Sequence, residues 1–569
     1  MNTSSLLIAG IVYFAFAYIV YGRVLEKIFR VDKSRKCPAE RMADGIDYVK
    51  TNPMVLFGHH FASIAGAGPI VGPVLAAKYG WVPAVVWILL GCVFIGAMHD
   101  FAAMYLSVRH DGRSVAYVVE KELGYWGRQI FLVFCLVLLV LVVAVFTDQV
   151  ANSFLNTPSV ATSSILFIVL APIMGCVLKN KLLDLLEASL IFVPLTFLCI
   201  WLGTLFPCDL PALLGVSVSQ ARIVWYLILL YYAFIASTIP VWFMLQPRDY
   251  LNSFLLYAMM IVGVAGVIAA RATLTMPTIV IPEGGSVIPD VFPLLFVTIA
   301  CGACSGFHSL VASGTSSKQI ANEKDIRRVG YGGMLVEGVL AIIAICSVCY
   351  LSAENYATLA SQTHNAAPTM FAMGVGHFAE ALGIPSYIGS TFIVLTISAF
   401  ILTSLDTGTR LARFLWQELV MPSEKMPAVN SADAPQRPIG RGRAFLGNRW
   451  TGTIAIIVLA FLMLCTGESV RMWPVFGAAN QLLAAMTLLT VTLFLLRKRY
   501  PWLFAMLPML FMWVVSVFAL ANLMQANWEK NKYLSCIAIL LLVMAVILAV
   551  LAVKRLLNAR KSGQDVPAP

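Results

Sequence analysis

His59 and His60 adjoin at the head of an apolar stretch, Gly58 to Pro73, that carries four glycines and two prolines in sixteen residues. Imidazole titrates near neutral pH, so either ring suits a proton relay or a contact with an anion. Glycine lets a ligand approach the backbone, and a helix that restarts after a break presents free N–H groups to a carboxylate. On those grounds His59, His60, Ser63, Gly66, Ala67 and Gly68 are the first candidates for a substrate site. A second stretch, Cys301 to Ser317, holds His308 among closely spaced hydroxyls. Ser309, Ser313, Thr315 and Ser316 offer hard oxygen ligands for a sodium ion, although small residues also serve close helix packing. Asp100, Glu337 and Asp406 fall in or at the ends of apolar runs, where an ionisable group serves a function by default. Glu337 or one of the histidines is read as the proton carrier. Asp100 and Asp406 are read as inner-gate residues paired with Arg109, Arg410 or Arg413. Ser237 and Thr238, ahead of Pro240, complete the candidate substrate set.

These residues need elements to hold them, and the composition says which. Of 569 residues, 60% are hydrophobic and 12% charged, far from the roughly 25% charged residues of a soluble domain. The charges cluster between long apolar runs. A run of about 20 apolar residues crosses the hydrocarbon core, and fifteen candidates are present, among them 54–77, 222–244, 291–314, 331–351 and 385–405. The expected class is an all-α polytopic membrane protein with about fifteen transmembrane helices. The net charge of +11 does not point to nucleic acid, because the basic residues sit at the ends of the runs. Most fall on one set of alternate loops, which places the N-terminus outside and the C-terminus in the cytoplasm. The twelve cysteines lie mostly inside apolar runs, and Cys301 with Cys304 supplies only half of a zinc site. The long segment 352–384 has no Lys or Arg and is expected as an outer loop with a short helix or lid.

Glycine and proline in 58–73 argue against a continuous helix, since Pro costs about 3 kcal/mol and Gly about 1 in a helix interior. Irregular backbone survives at membrane depth where it is buried or lines a cavity, as in the broken helices of carriers. Run 54–77 begins one set of five runs. Run 222–244, interrupted at Ala236 to Pro240, begins a second set of opposite direction. That pattern predicts a five-plus-five inverted repeat over 54–415. Residues 1–53 add a first span and a basic loop, 416–449 a cytoplasmic loop rich in proline, and 450–569 four accessory spans with a basic tail. No Walker A, GxSxG or HExxH pattern occurs. No cofactor and no enzymatic activity are expected; lipid is the expected surrounding, and the oligomeric state stays open.

The stretch GHHFASIAGAGPIVGPVLAAKYGW, the following His99-Asp100 and Arg109 to Ser114, SGFHSLVASGTSSKQI, and Ser404 to Arg410 together resemble the carbon starvation protein A (CstA) family over roughly residues 1–560. The resemblance implies a bacterial inner-membrane uptake carrier active under carbon starvation, for pyruvate with a proton or for peptides. It also implies the LeuT-type fold of the amino acid–polyamine–organocation (APC) superfamily.

Overall fold

A computed structural model describes residues 1–43, 48–240, 242–280, 291–362, 366–421, 441–466 and 469–561. Every regular element among them is helical. Short helices aside, the elements are α1 (Thr3–Ile28), α2 (Pro53–Ile64), α3 (Gly68–Ala76), α4 (Trp81–Gly91), α5 (Ala97–Arg109), α6 (Val115–Asn156), α7 (Pro158–Lys179), α8 (Leu185–Leu205), α9 (Val218–Thr238), α10 (Leu245–Ala270), α11 (Leu294–Thr298), α12 (Gly306–Gly314), α13 (Gly332–Cys349), α14 (Ala366–Glu380), α15 (Ser386–Val420), α16 (Arg449–Leu464), α17 (Ser469–Arg497), α18 (Leu503–Asn527) and α19 (Lys532–Lys561).

Twelve helices among the described residues are long and apolar enough to cross a membrane, and the bent pair α2–α3 makes thirteen. The other two expected runs fall short for different reasons. Run 291–314 is two short helices, α11 and α12, joined by non-helical backbone from Ile299 to Ser305. α16 keeps an apolar helix of only 16 residues. The chain is a multi-pass membrane protein, with one bent helix pair of membrane-spanning length among the described residues.

The break at 64–68 forms as the residues dictate. Ala65 leaves helical geometry (φ −75°, ψ 65°), and Gly66 N–H turns back to the Ile64 carbonyl at 2.8 Å. Pro69, which has no N–H to leave unbonded, opens α3, and the two pieces meet at 49°. The interruption expected at 236–240 is different. α9 is continuous to Thr238 and simply ends there, because Pro240 terminates the helix instead of breaking it. The second interrupted span is α11–α12.

Two helices carry one wide turn each, with hydrogen bonds to the fifth residue. One lies at Cys92–Gly96 between α4 and α5, and the other at Arg327–Tyr331 before α13. α6 spans 42 residues but changes direction at Gly124, whose φ of 82° suits a residue without Cβ. α15 runs 35 residues, past the expected inner end of its span, so the loop expected from 416 begins only after Val420. Most of that loop, residues 422–440, lies outside the described residues. The expected outer loop 352–384 contains α14, which is largely buried against α13, α15 and α10.

α6 and α15 pack along each other at the centre, with α17 against α6, α11 and α12. Of the membrane-length helices, Met472–Arg497 is the most enclosed, at 94% of its apolar window. It was expected among accessory spans, but its Asn480, Gln481, Thr487 and Thr490 are buried inside the protein. α7, α8, α18 and α19 show Leu186, Leu190, Trp201, Phe518, Val546 and similar side chains on the outside, as lipid-facing helices must.

Candidate functional site

The two interrupted spans cross at their breaks and run antiparallel. A Cβ on Gly68 would overlap Cys301 Cβ and Sγ, one on Gly72 would meet the Thr298 carbonyl at 2.6 Å, and one on Gly302 would lie 3.6 Å from Pro69 Cα. Further along, His60 of α2 reaches Ser316 beyond α12. Glycine is required at Gly72 because the Thr298–Ile299 backbone lies against it, and at Gly68 because the Cys301 side chain does. The unwound segment finds its hydrogen bonds elsewhere. Asn480 of α17 accepts the Phe307 N–H at 2.8 Å and donates to Ser305 Oγ at 3.0 Å. Gln481 donates to the Phe296 carbonyl at 2.5 Å, and Trp87 to the Ile299 carbonyl at 3.3 Å. Neither amide was singled out in the sequence; an Asn-Gln pair inside an apolar run was the available signal.

Beside this crossing sits a fully buried cluster of ionisable groups drawn from three helices. Asp100 of α5 accepts from His99 Nδ1 through one oxygen and from His308 Nδ1 of α12 through the other, each at 2.8 Å. His308 Nε2 lies 3.4 Å from Glu337 Oε2 of α13. One imidazole therefore bridges two carboxyl groups in a fully buried site. Such a triad can hold a proton on the ring or on either acid, and can pass it between α5 and α13 through α12. His60 joins from α2, with Nδ1 at 2.8 Å from Ser316 Oγ. The expectation that Asp100 pairs with Arg109 is corrected: Arg109 binds Glu323 at 2.9 Å, at the loop end of the helix.

Asp406 also has partners other than the expected Arg410 and Arg413. Arg248 of α10 donates to Asp406 and to the Tyr232 hydroxyl, and Tyr232 donates to Asp406 at 2.5 Å. Arg410 instead donates to the carbonyls of Ala236 at 2.6 Å and Ile239 at 2.8 Å, capping the end of α9. Sequence analysis missed Arg248 and Tyr232, whose separations of 158 and 174 residues from Asp406 leave no local pattern.

The two histidines divide as their neighbouring positions on a helix require. His60 is buried against the cluster, whereas His59 lines a cavity of about 980 Å³ and lies 3.7 Å from Asp249. Thr238, Trp242, Tyr250, Gln319 and Phe414 share that lining with Lys179, Arg410, Arg413 and Arg449, and no acidic residue among the described ones does. The cavity is a cationic vestibule suited to an anion.

The remaining candidates are less accessible. Gly66, Ala67 and Gly68 are buried, and Gly66 packs so that a Cβ would lie 2.8 Å from Ser404 Oγ. Ser63 donates to the His59 carbonyl at 2.8 Å, Thr238 to Phe234 at 2.9 Å, and Ser237 lies 3.4 Å from Thr453. Ser309, Ser313 and Thr315 donate to the carbonyls of Gly306, Ser309 and Val311 at 2.7, 2.7 and 2.9 Å. Among the described residues no three His, Cys, Asp or Glu side chains are arranged to hold a metal ion.

The family described as Carbon starvation protein CstA matches residues 2–369 and 357–519. A peptide transporter CstA of Escherichia coli K12 is 32% identical over 93% of this chain and 81% of its own length. The peptide transporter CstA of Bacillus subtilis is 30% identical over 98% and 97%. The pyruvate/proton symporter BtsT of Escherichia coli K12 is 32% identical over 90% and 81%. Among solved structures, a manganese transporter of Eremococcus coleocola aligns over 91% of this chain and 99% of its own, at 9% identity and a TM-score of 0.49.

Proposed function

Because this chain is a transporter belonging to the CstA family, we propose that it carries pyruvate into the cell together with a proton. The observation that carries this reading is His308, held between Asp100 and Glu337 in a buried site at the crossing of two broken spans. α2 reaches the same region through His60, whose Nδ1 lies 2.8 Å from Ser316 Oγ just beyond α12, which supports a link between loading the triad and rearranging the break. The cationic vestibule supports a monoanionic substrate, and one relative is named a pyruvate/proton symporter. The volume of the vestibule favours a second reading. A drug-sized ligand fills roughly 300–1,000 Å³, so a cavity of about 980 Å³ also suits a short peptide, as the names of other relatives suggest.

The same reading includes alternating access by a LeuT-type five-plus-five repeat, with the second half starting at α11. Each half then opens with an interrupted span followed by a helix bearing a wide turn. The paired helices also run antiparallel, since Cys92 faces Gly338 while Asp100 faces Gly330. Fifteen crossings follow if α11–α12 and α16 each count as one. The basic side chains around the vestibule support a cytoplasm-facing position in a bacterial inner membrane.

The test is uptake of labelled pyruvate into proteoliposomes under an imposed pH gradient. Accumulation that collapses with a protonophore and resists a dipeptide is the expected result. Uptake that ignores the pH gradient and requires sodium would overturn proton coupling and return attention to Ser309, Ser313, Thr315 and Ser316. Uptake of labelled dipeptide alone would replace pyruvate with peptide.

A further inference from the structure

Arg248 is buried near the N-terminus of α10, two residues from Gln246 and Tyr250 of the vestibule lining. A guanidinium enclosed in a membrane protein requires a counter-ion, and a planar fork with five donors is suited to grip a carboxylate with two of them. Asp406 supplies that charge through one oxygen only. Its Oδ1 and Arg248 Nη2 are both buried without a hydrogen-bond partner among the described residues. A pair that exists only to pin α10 to α15 would be expected to satisfy both ends, since a buried polar atom left without a partner is costly. We propose that Arg248 is the cation that receives the carboxylate of the transported substrate, and that Asp406 is its resting counter-ion.

This rests on the reading of the chain as a carboxylate carrier and deepens it. A substrate entering past His59 and Tyr250 meets Arg248 just behind the vestibule wall. Its carboxylate takes both guanidinium donors, and Asp406 is released to its remaining donor, Tyr232. When the substrate leaves, Asp406 returns. Arg248 is thus never an unpaired charge in the membrane, and the site selects a carboxylate over an uncharged analogue. The keto group of pyruvate and the amide of a dipeptide are not needed for this step, so the same device serves either substrate.

The experiment is equilibrium binding of labelled pyruvate and of a labelled dipeptide to the purified full chain, with pyruvate methyl ester as an uncharged competitor. Asp406→Asn removes the internal competitor, and pyruvate should bind about tenfold more tightly to it. The double variant Arg248→Met with Asp406→Leu removes both charges without stranding either, a replacement that buried ion pairs commonly tolerate. It should keep its melting temperature and lose binding of whichever probe the unmodified chain binds. Arg248→Lys keeps the charge without the fork, so it should bind several-fold more weakly; it serves if the double variant cannot be purified. Equal affinity of the unmodified chain and the double variant, or of the unmodified chain and Arg248→Lys, would overturn the assignment while leaving the carrier reading intact. An unmodified chain that binds neither probe would overturn both.

Discussion

Glu337 is the acid whose two oxygens have no hydrogen-bond donor among the described residues, only the approach of His308 at 3.4 Å. It is therefore the member of the triad freest to change its proton. Glu337→Gln keeps the shape and removes the proton site. We expect it to preserve pyruvate exchange across proteoliposomes and to abolish accumulation driven by a pH gradient. Wild-type accumulation in this variant would remove Glu337 from the proton path. Gly68 makes a different kind of statement, because its lack of a Cβ lets α3 lie against Cys301. Gly68→Ala should destabilise the protein by about 1–3 kcal/mol through overpacking, read as a lowered melting temperature. Cys301→Gly in the same chain should restore it. A leucine at Gly66 or Gly68 would fail by packing alone, so such a loss would say nothing about substrate. The sequence showed these glycines and both histidines, and the adjacency of His59 and His60 rightly implied two different environments. It did not show that Asp100 and Asp406 choose His308 and Arg248 over the arginines nearer to them in the chain. Partner choice among buried charges depends on which helices meet.

At the scale of elements, the break in α2–α3 was legible because proline and glycine leave a helix few options. The break in α11–α12 was not. Gly302, Ser305 and Gly306 read equally well as a close-packed helix, and the groups that hold the segment open, Asn480 and Gln481, are about 175 residues away. Asn480→Leu removes the cap on the Phe307 N–H and leaves Ser305 without its partner. Transport should fall at least tenfold with the protein still inserted in the membrane, while Asn480→Asp, which retains the acceptor, should preserve more of it. Equal activity of Asn480→Leu and the unmodified chain would mean the break holds itself. Pro240 was misjudged for the opposite reason, since a proline that ends a helix and one that interrupts it leave the same mark on a sequence.

For the molecule as a whole, the vestibule fixes a sidedness that can be measured. Trp242→Cys, in a chain whose exposed Cys465 and Cys536 are replaced by serine, should react with an impermeant thiol reagent in inside-out vesicles and resist it in right-side-out cells. The reverse pattern would invert the orientation derived from the basic loops. Cys37 needs no replacement. It lies outside the spans, buried beneath the loop that carries Glu323, and burial reinforced by that acid raises its thiol to about 11. At neutral pH it stays protonated and unreactive. The alternation of charge along the chain gives an orientation for this experiment to test. The centrality of α17 was not visible, because a buried helix and a lipid-facing one are both apolar.

The wide turns at Cys92–Gly96 and Arg327–Tyr331 amount to one surplus residue in each helix. A residue occupies about 100° of an α-helix, so the surplus decides which way everything downstream points. Asp100 faces His308 only because the count before it is off by one. Deleting a single residue from Cys92–Gly96 would leave a smoother, better-bonded helix of nearly the same hydrophobicity and swing the acid out of the triad. The geometry of this cluster is therefore written partly in chain length, where a one-residue gap in an otherwise alignable relative would mark a rearrangement that no substitution announces.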